Sequence, residues 1–156
     1  MKTVTFCGHR DAAVGEKVRR WLYDTVEGLI RNGAERFYFG GCGHFDSMAA
    51  GTVWELKKKY PQIRLILVLA YLNAKPDMKY YDETIYPPLE TVPPRYAISK
   101  RNRWMVQEAD TVIAYVLHGW GGAAQTLGYA QNMKKQIFLY TDSSAGQDSA
   151  SLRSPL

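Results

Sequence analysis

The sequence predicts an α/β domain in three layers, with a mainly parallel five-stranded sheet and helices on both faces. Three observations carry this prediction. Short β-rich runs alternate with amphipathic helical stretches, the middle run is continuously apolar, and glycine turns connect strands to helices.

Thr3 to Cys7 is the first β-rich run. The next segment places Val14, Val18, Trp21, Leu22, Val26, Leu29 and Ile30 on one helical stripe, with Arg20, Asp24, Glu27 and Arg31 opposite, and Asn32-Gly33 as its stop. The unit then repeats. Strand two, Arg36 to Phe39, enters a glycine turn and then a helix beginning near Asp46. That helix carries Phe45, Met48, Ala49, Val53 and Leu56 on one face and is ended by Pro61. Strand three, Ile63 to Tyr71, is continuously apolar from Leu65 onward and reads as buried on both faces. Asn73 to Arg95 holds five of the seven prolines together with Asp77, Tyr80, Tyr81, Asp82 and Tyr86. A connection this long inside one domain is more often functional than idle, and it is expected to form a lid. Helix three is predicted from about Tyr96 to Glu108, strand four over Thr111 to Leu117, helix four from about Ala123 to Lys134, and strand five over Gln136 to Tyr140. Residues 142–156 lack period and apolar content, so the domain is expected to span 1–141 and the remainder to be a disordered tail.

A length of 156 residues and an apolar content of 46% fit one domain with a real core. The two cysteines, Cys7 and Cys42, cannot make a disulfide framework, and the polar Gly8-His-Arg10 follows the first strand where a signal peptide would be apolar. A cytoplasmic location is the expectation. No apolar run approaches the roughly 18–20 residues that span a bilayer, which argues against a membrane partner. The net charge of +5 suits a phosphate-bearing partner. However, Lys57, Lys58, Lys59, Lys134 and Lys135 fall at predicted helix ends, where they answer the helix dipole. Trp21 and Trp54 are read as exposed apolar positions, which points to a homodimer.

In open parallel sheets, ligands bind beyond the carboxyl ends of the strands, where glycine turns and helix N-termini converge. Three segments arrive there: Cys7-Gly8-His9-Arg10, Gly40-Gly41-Cys42-Gly43-His44-Phe45-Asp46, and His118-Gly119-Trp120-Gly121-Gly122-Ala123. One glycine turn can join a strand to a helix with no ligand at all, but three on the same edge point to a phosphate cradle. On helix three, Ile98, Met105 and Ala109 define the packed face, and Arg101 and Asn102 fall on it. An inward cation there needs an anion, either a neighbouring carboxylate or a group of the ligand. The expected site holds phosphate on the amides of Gly40, Gly41, Gly43, Gly121, Gly122 and Ala123. Gly8, His9, Arg10 and Arg101 assist, Phe45 lies in the same turn, and Asn102 and Asp46 meet the ribose. Asp46 has a competing role as a cap for nearby N–H groups. Trp104, Trp120 and Tyr129 could stack on a base or belong to the core. No cofactor is assigned, and no catalytic residue is identified.

The opening Phe6-Cys-Gly-His-Arg10, the turn Gly40 to Asp46, and Lys100-Arg-Asn-Arg-Trp-Met105 followed by Ala109-Asp110 and Gly121-Gly122 resemble the SLOG superfamily. The resemblance covers the chain up to Tyr140 and is strongest to the small stand-alone YpsA-like branch. It implies a Rossmann-like fold and a nucleotide or nucleotide-derived ligand, and it favours a homodimer. Relatives of that superfamily include the Lonely Guy phosphoribohydrolases and the DNA-processing protein A family.

The departures bear on reaction. Lonely Guy enzymes carry Gly-Gly-x-Gly-Thr-x-x-Glu, and aligning it on Gly121 and Gly122 puts Gly128 where the catalytic glutamate belongs. Thr126-Leu-Gly-Tyr-Ala130 resembles a segment of nucleoside deoxyribosyltransferases, with Thr126 in place of their nucleophilic glutamate. N-glycosidic cleavage needs a carboxylate beside its oxocarbenium-like state. Asp46, Glu108, Asp110 or an acid of the lid would have to substitute. The expectation is therefore a protein that binds or senses a nucleotide-like, ADP-ribose-like small molecule. An N-glycosidase with a non-standard carboxylate and a single-stranded DNA binder are the alternatives. The repeated Cys-Gly-His triplets at Cys7 and Cys42 raise a zinc site as a minor alternative, against their unusual spacing.

Overall fold

The structure is a computed structural model that describes residues 2–11, 13, 15–141 and 150–153. The chain runs β1 (Lys2–Gly8), α1 (Glu16–Arg31), β2 (Ala34–Phe39), α2 (His44–Lys57), β3 (Arg64–Val68) and β4 (Glu83–Ile85). It continues through α3 (Ala97–Glu108), β5 (Thr111–Tyr115), α4 (Gly122–Asn132), β6 (Gln136–Tyr140) and β7 (Ala150–Arg153). One sheet holds all strands in the order β4-β3-β2-β1-β5-β6-β7. The first six are parallel to their neighbours, and β7 is antiparallel to β6. The expected five strands are thus joined by one more at each edge.

Period-two alternation places the layers. Val4, Phe6, Phe37, Phe39, Ile113 and Tyr115 point to the face covered by α1 and α2. Val112, Ala114, Tyr38 and Ile66 point to the other, under α3 and α4. Both faces of the central strands are therefore dry, which is why strand three reads as an unbroken apolar run. Trp21 is a correction: only 3% exposed, it packs edge-on against Tyr140 within the α1 layer, so it offers no surface for a second subunit. Trp54 is exposed, with Lys58 over its ring and Tyr80 beside it.

The proline-rich segment departs from the expected lid. Its residues Glu83–Ile85 pair with Ile66–Val68, and Asp82 accepts the Leu65 N–H at 2.8 Å and the Lys57 ammonium at 2.7 Å. Tyr81 packs on Phe39. A segment whose polar and aromatic groups are bound to the sheet edge is a strand connection. Val14 and most of the expected tail, residues 142–149 and 154–156, lie outside the described residues. Among the described residues, no helix is long and apolar enough to cross a membrane.

Candidate functional site

Strand order reverses between β1 and β5: the chain winds outward through β2 to β4 on one side and through β6 on the other. That switch point opens a crevice at the carboxyl edge. A cleft of about 590 Å³ occupies it, bounded by the ends of β1, β2 and β5, the first half of α3 and the start of α4. Gly8, His9, Arg10, Gly40, Asp46, Arg101, Asn102, Gly121, Gly122 and Ala123 all line it, as the sequence places them. Gly41, Gly43 and Phe45 do not. Phe45 is fully buried and stacks on Tyr115 with ring centroids 5.5 Å apart. Trp104 stacks on Tyr38, and Tyr129 accepts from Gln107 while Arg103 lies over its ring, so neither reaches the cleft.

The two glycine turns at the helix starts differ chemically. In the α2 turn the glycines serve the protein's own packing. A Cβ on Gly43, where φ is +90°, would lie 2.7 Å from the Arg10 backbone, and one on Gly40 would lie 3.0 Å from the Arg101 guanidinium. The Asp46 carboxylate folds back into this turn and accepts the Gly41 N–H at 2.6 Å. Desolvation pushes its pKa up to about 6, against the pull of the Gly41 N–H, the Arg101 charge and the N–H groups of Gly40 and Cys42. The turn expected to cradle a phosphate is therefore already filled by an anion of the chain. Of its two expected roles, Asp46 here binds an N–H of the turn that precedes α2.

The α4 turn is open. Among the described residues, a Cβ on Gly121, where φ is +94°, or on Gly122 would meet open space, and no side chain caps the helix. Its first-turn N–H groups, carrying the positive end of the helix dipole, border the cleft. Arg10, which lines the same cleft, is an exposed cation.

Arg101 is 4% exposed and points inward, as expected. Its partners are neutral oxygens: Nη1 donates to the backbone carbonyls of Gly40 and Val68, each at 2.9 Å, and Nε donates to the Asn102 side-chain Oδ1 at 2.9 Å. It ties the ends of β2 and β3 to α3 and adds positive charge beside Asp46. Ile98, expected on the packed face, is instead 41% exposed at the cleft rim.

His9 is buried, and its Nε2 accepts the Leu117 N–H at 2.8 Å, which assigns the ring proton to Nδ1. Burial lowers its pKa, the neighbouring His118 lowers it further, and Asp11 opposes both. His118 stacks on His9 with centroids 3.9 Å apart, and Trp120 stacks on His118 at 3.7 Å. His118 was not among the candidate residues. Its position at the end of a strand, in a glycine turn mirroring that of His9, was the available signal. Among the described residues no three His, Cys, Asp or Glu side chains gather to hold a metal.

No protein-family profile matches the chain, and no curated protein matches it significantly. Solved structures do. DNA processing protein A from Helicobacter pylori, described for its single-stranded DNA binding mode, is 17% identical with a TM-score of 0.66, covering 95% of this chain and 69% of that one. The molybdenum cofactor carrier protein of Chlamydomonas reinhardtii is 14% identical with a TM-score of 0.61, covering 90% and 77%. The protein TM1055 is 15% identical with a TM-score of 0.59, covering 88% and 72%. The chain therefore has a Rossmann-like α/β fold in common with these proteins.

Proposed function

We propose that this chain binds a nucleotide or a nucleotide-derived, ADP-ribose-like molecule in the cleft at the switch point. The observation that carries the reading is the uncapped, unobstructed N-terminus of α4, which shares a cleft of nucleotide size with Arg10. The phosphate belongs at Gly121, Gly122 and Ala123. The α2 turn, filled by Asp46, supplies polarity for a sugar through Asp46 and Asn102. A homodimer remains part of the proposal on the strength of the resemblance alone. Titration calorimetry with ADP-ribose and the four ribonucleoside 5′-monophosphates tests the reading. Saturable binding of at least one supports it, and no heat from any at millimolar concentration contradicts it.

A second reading, cleavage of an N-glycosidic bond, is favoured by one observation. Asp46 lines the cleft with a carboxyl held up to about 6, near the range of an acid catalyst. Chromatography for free base after incubation with the same nucleotides and NAD tests it, and release that disappears in Asp46→Asn would establish it. The single-stranded DNA reading draws on a structural neighbour alone. Four of the five lysines at helix ends are engaged elsewhere: Lys57 with Asp82, Lys59 with Glu27, Lys58 over Trp54 and Lys135 with the Gln107 carbonyl. It requires affinity that falls steeply with salt.

A further inference from the structure

We propose that Trp120 is a stacking subsite for a planar heteroaromatic ring, the base of the nucleotide-like ligand, and that His9 and His118 hold it in place. This rests on the reading that the cleft takes a nucleotide, and it names the group that the non-phosphate end presents.

Trp120 is 70% exposed although indole is among the costliest side chains to leave in water. Such exposure inside a cleft is the usual mark of a contact surface. One face of the indole is covered by His118, at 3.7 Å and an interplanar angle of 20°. The other face is left to the cleft that Trp120 lines. The column is grounded at its far end: His118 lies on His9 at 3.9 Å and 12°, and His9 meets the edge of Tyr115 and accepts the Leu117 N–H. Among the described residues His118 Nδ1 is buried with no hydrogen-bond partner, and the ring is held by stacking on its two faces. The platform is thus built before any ligand arrives, which spares the entropy of ordering an indole on binding.

Position supplies the ligand class. Trp120 immediately precedes Gly121, the N-cap of α4. A flat π-surface and an anion site joined by one peptide unit fit a molecule in which a base and a phosphate are joined by a compact sugar. Stacking tolerates any base, because each has a π-face. The subsite therefore sets a requirement for an aromatic ring and leaves discrimination among bases to other groups.

The test measures binding of three probes to the full chain by calorimetry: ribonucleoside 5′-monophosphates, the matching nucleosides, and ribose 5-phosphate. Each is titrated into wild type, Trp120→Ala and Trp120→Phe, with thermal melts confirming that the exposed substitutions leave the fold intact. The expected result is that wild type prefers a monophosphate to ribose 5-phosphate. Trp120→Ala should weaken the monophosphate about tenfold without changing ribose 5-phosphate, and Trp120→Phe should restore most of the loss. Equal weakening of monophosphate and ribose 5-phosphate, or no change in either, overturns the subsite while the nucleotide reading stands. Nucleoside binding that depends on Trp120, with no affinity for ribose 5-phosphate, keeps the subsite and removes the phosphate site. Binding of none of the three overturns both.

Discussion

His9 Nε2 accepts the backbone N–H of Leu117 at 2.8 Å, joining the end of β1 to the loop that leads into α4. That single bond changes what His9 does. Nε2 is committed to the backbone and leaves Nδ1–H as the ring's donor, so His9 positions the loop carrying His118, Trp120 and Gly121. Replacing it by Phe keeps a ring against His118 but leaves the Leu117 N–H without its acceptor. His9→Phe should lower stability by about 1–3 kcal/mol in urea unfolding. Unchanged stability would show that the bond contributes nothing.

The pH dependence has a defined sign. Burial and His118 hold the His9 pKa below its ordinary 6.5 in the folded state, so the unfolded chain takes up that proton first as pH falls. The His9 contribution is fully present above about 6.5 and is lost below it. Stability measured from pH 8 down to pH 6 should fall in wild type and fall less in His9→Phe. An identical slope in both would contradict the assignment.

Asp46 acts in the opposite direction. Its folded pKa of about 6 lies above the ordinary 3.8, so the folded protein holds the proton longer and loses stability as pH rises between these values. Asp46→Asn keeps an acceptor for the Gly41 N–H and cannot ionise. Between pH 4 and pH 6 the variant should gain on wild type as pH rises, and parallel profiles would refute the desolvated carboxyl.

Gly8 meets Phe45. A Cβ on Gly8 would lie 2.3 Å from the Phe45 ring, which is fully buried and stacked on Tyr115. Gly8→Ala must displace that ring, and it should cost about 1–3 kcal/mol by thermal or urea unfolding. A neutral substitution would mean that β1 and α2 can separate without penalty.

Arg101 holds two carbonyls at the ends of β2 and β3. Arg101→Met leaves both without a donor and removes positive charge beside Asp46. A loss of about 3 kcal/mol in urea unfolding is expected, with the Asp46 carboxyl titrating still higher by carbon-13 NMR.

Much of this molecule was legible in its sequence, for identifiable reasons. Helix stripes such as Val18, Trp21, Leu22 and Val26 and the alternating strands state their period directly, so the layers follow. Glu83–Ile85 is three residues inside a proline-rich stretch, too short to show a period. Ala150–Arg153 pairs on one side only, so its formation depends on β6 more than on its own composition. At the site, the three turns and Arg101 were visible because glycine and an inward cation are local signals. The His9–His118–Trp120 column was not, since stacking joins residues more than a hundred positions apart. That Asp46 would accept from nearby backbone N–H groups was one of its two expected roles, and Gly41 is the partner it takes.

The central claim is that the uncapped start of α4 holds the phosphate of a nucleotide-like ligand. Backbone amide chemical shifts of Gly121, Gly122 and Ala123, followed while ADP-ribose or a nucleoside monophosphate is added, test this most directly. These three amides should show the largest saturable shifts, and Arg10→Glu should suppress them. Saturable shifts elsewhere with these three unmoved would contradict it.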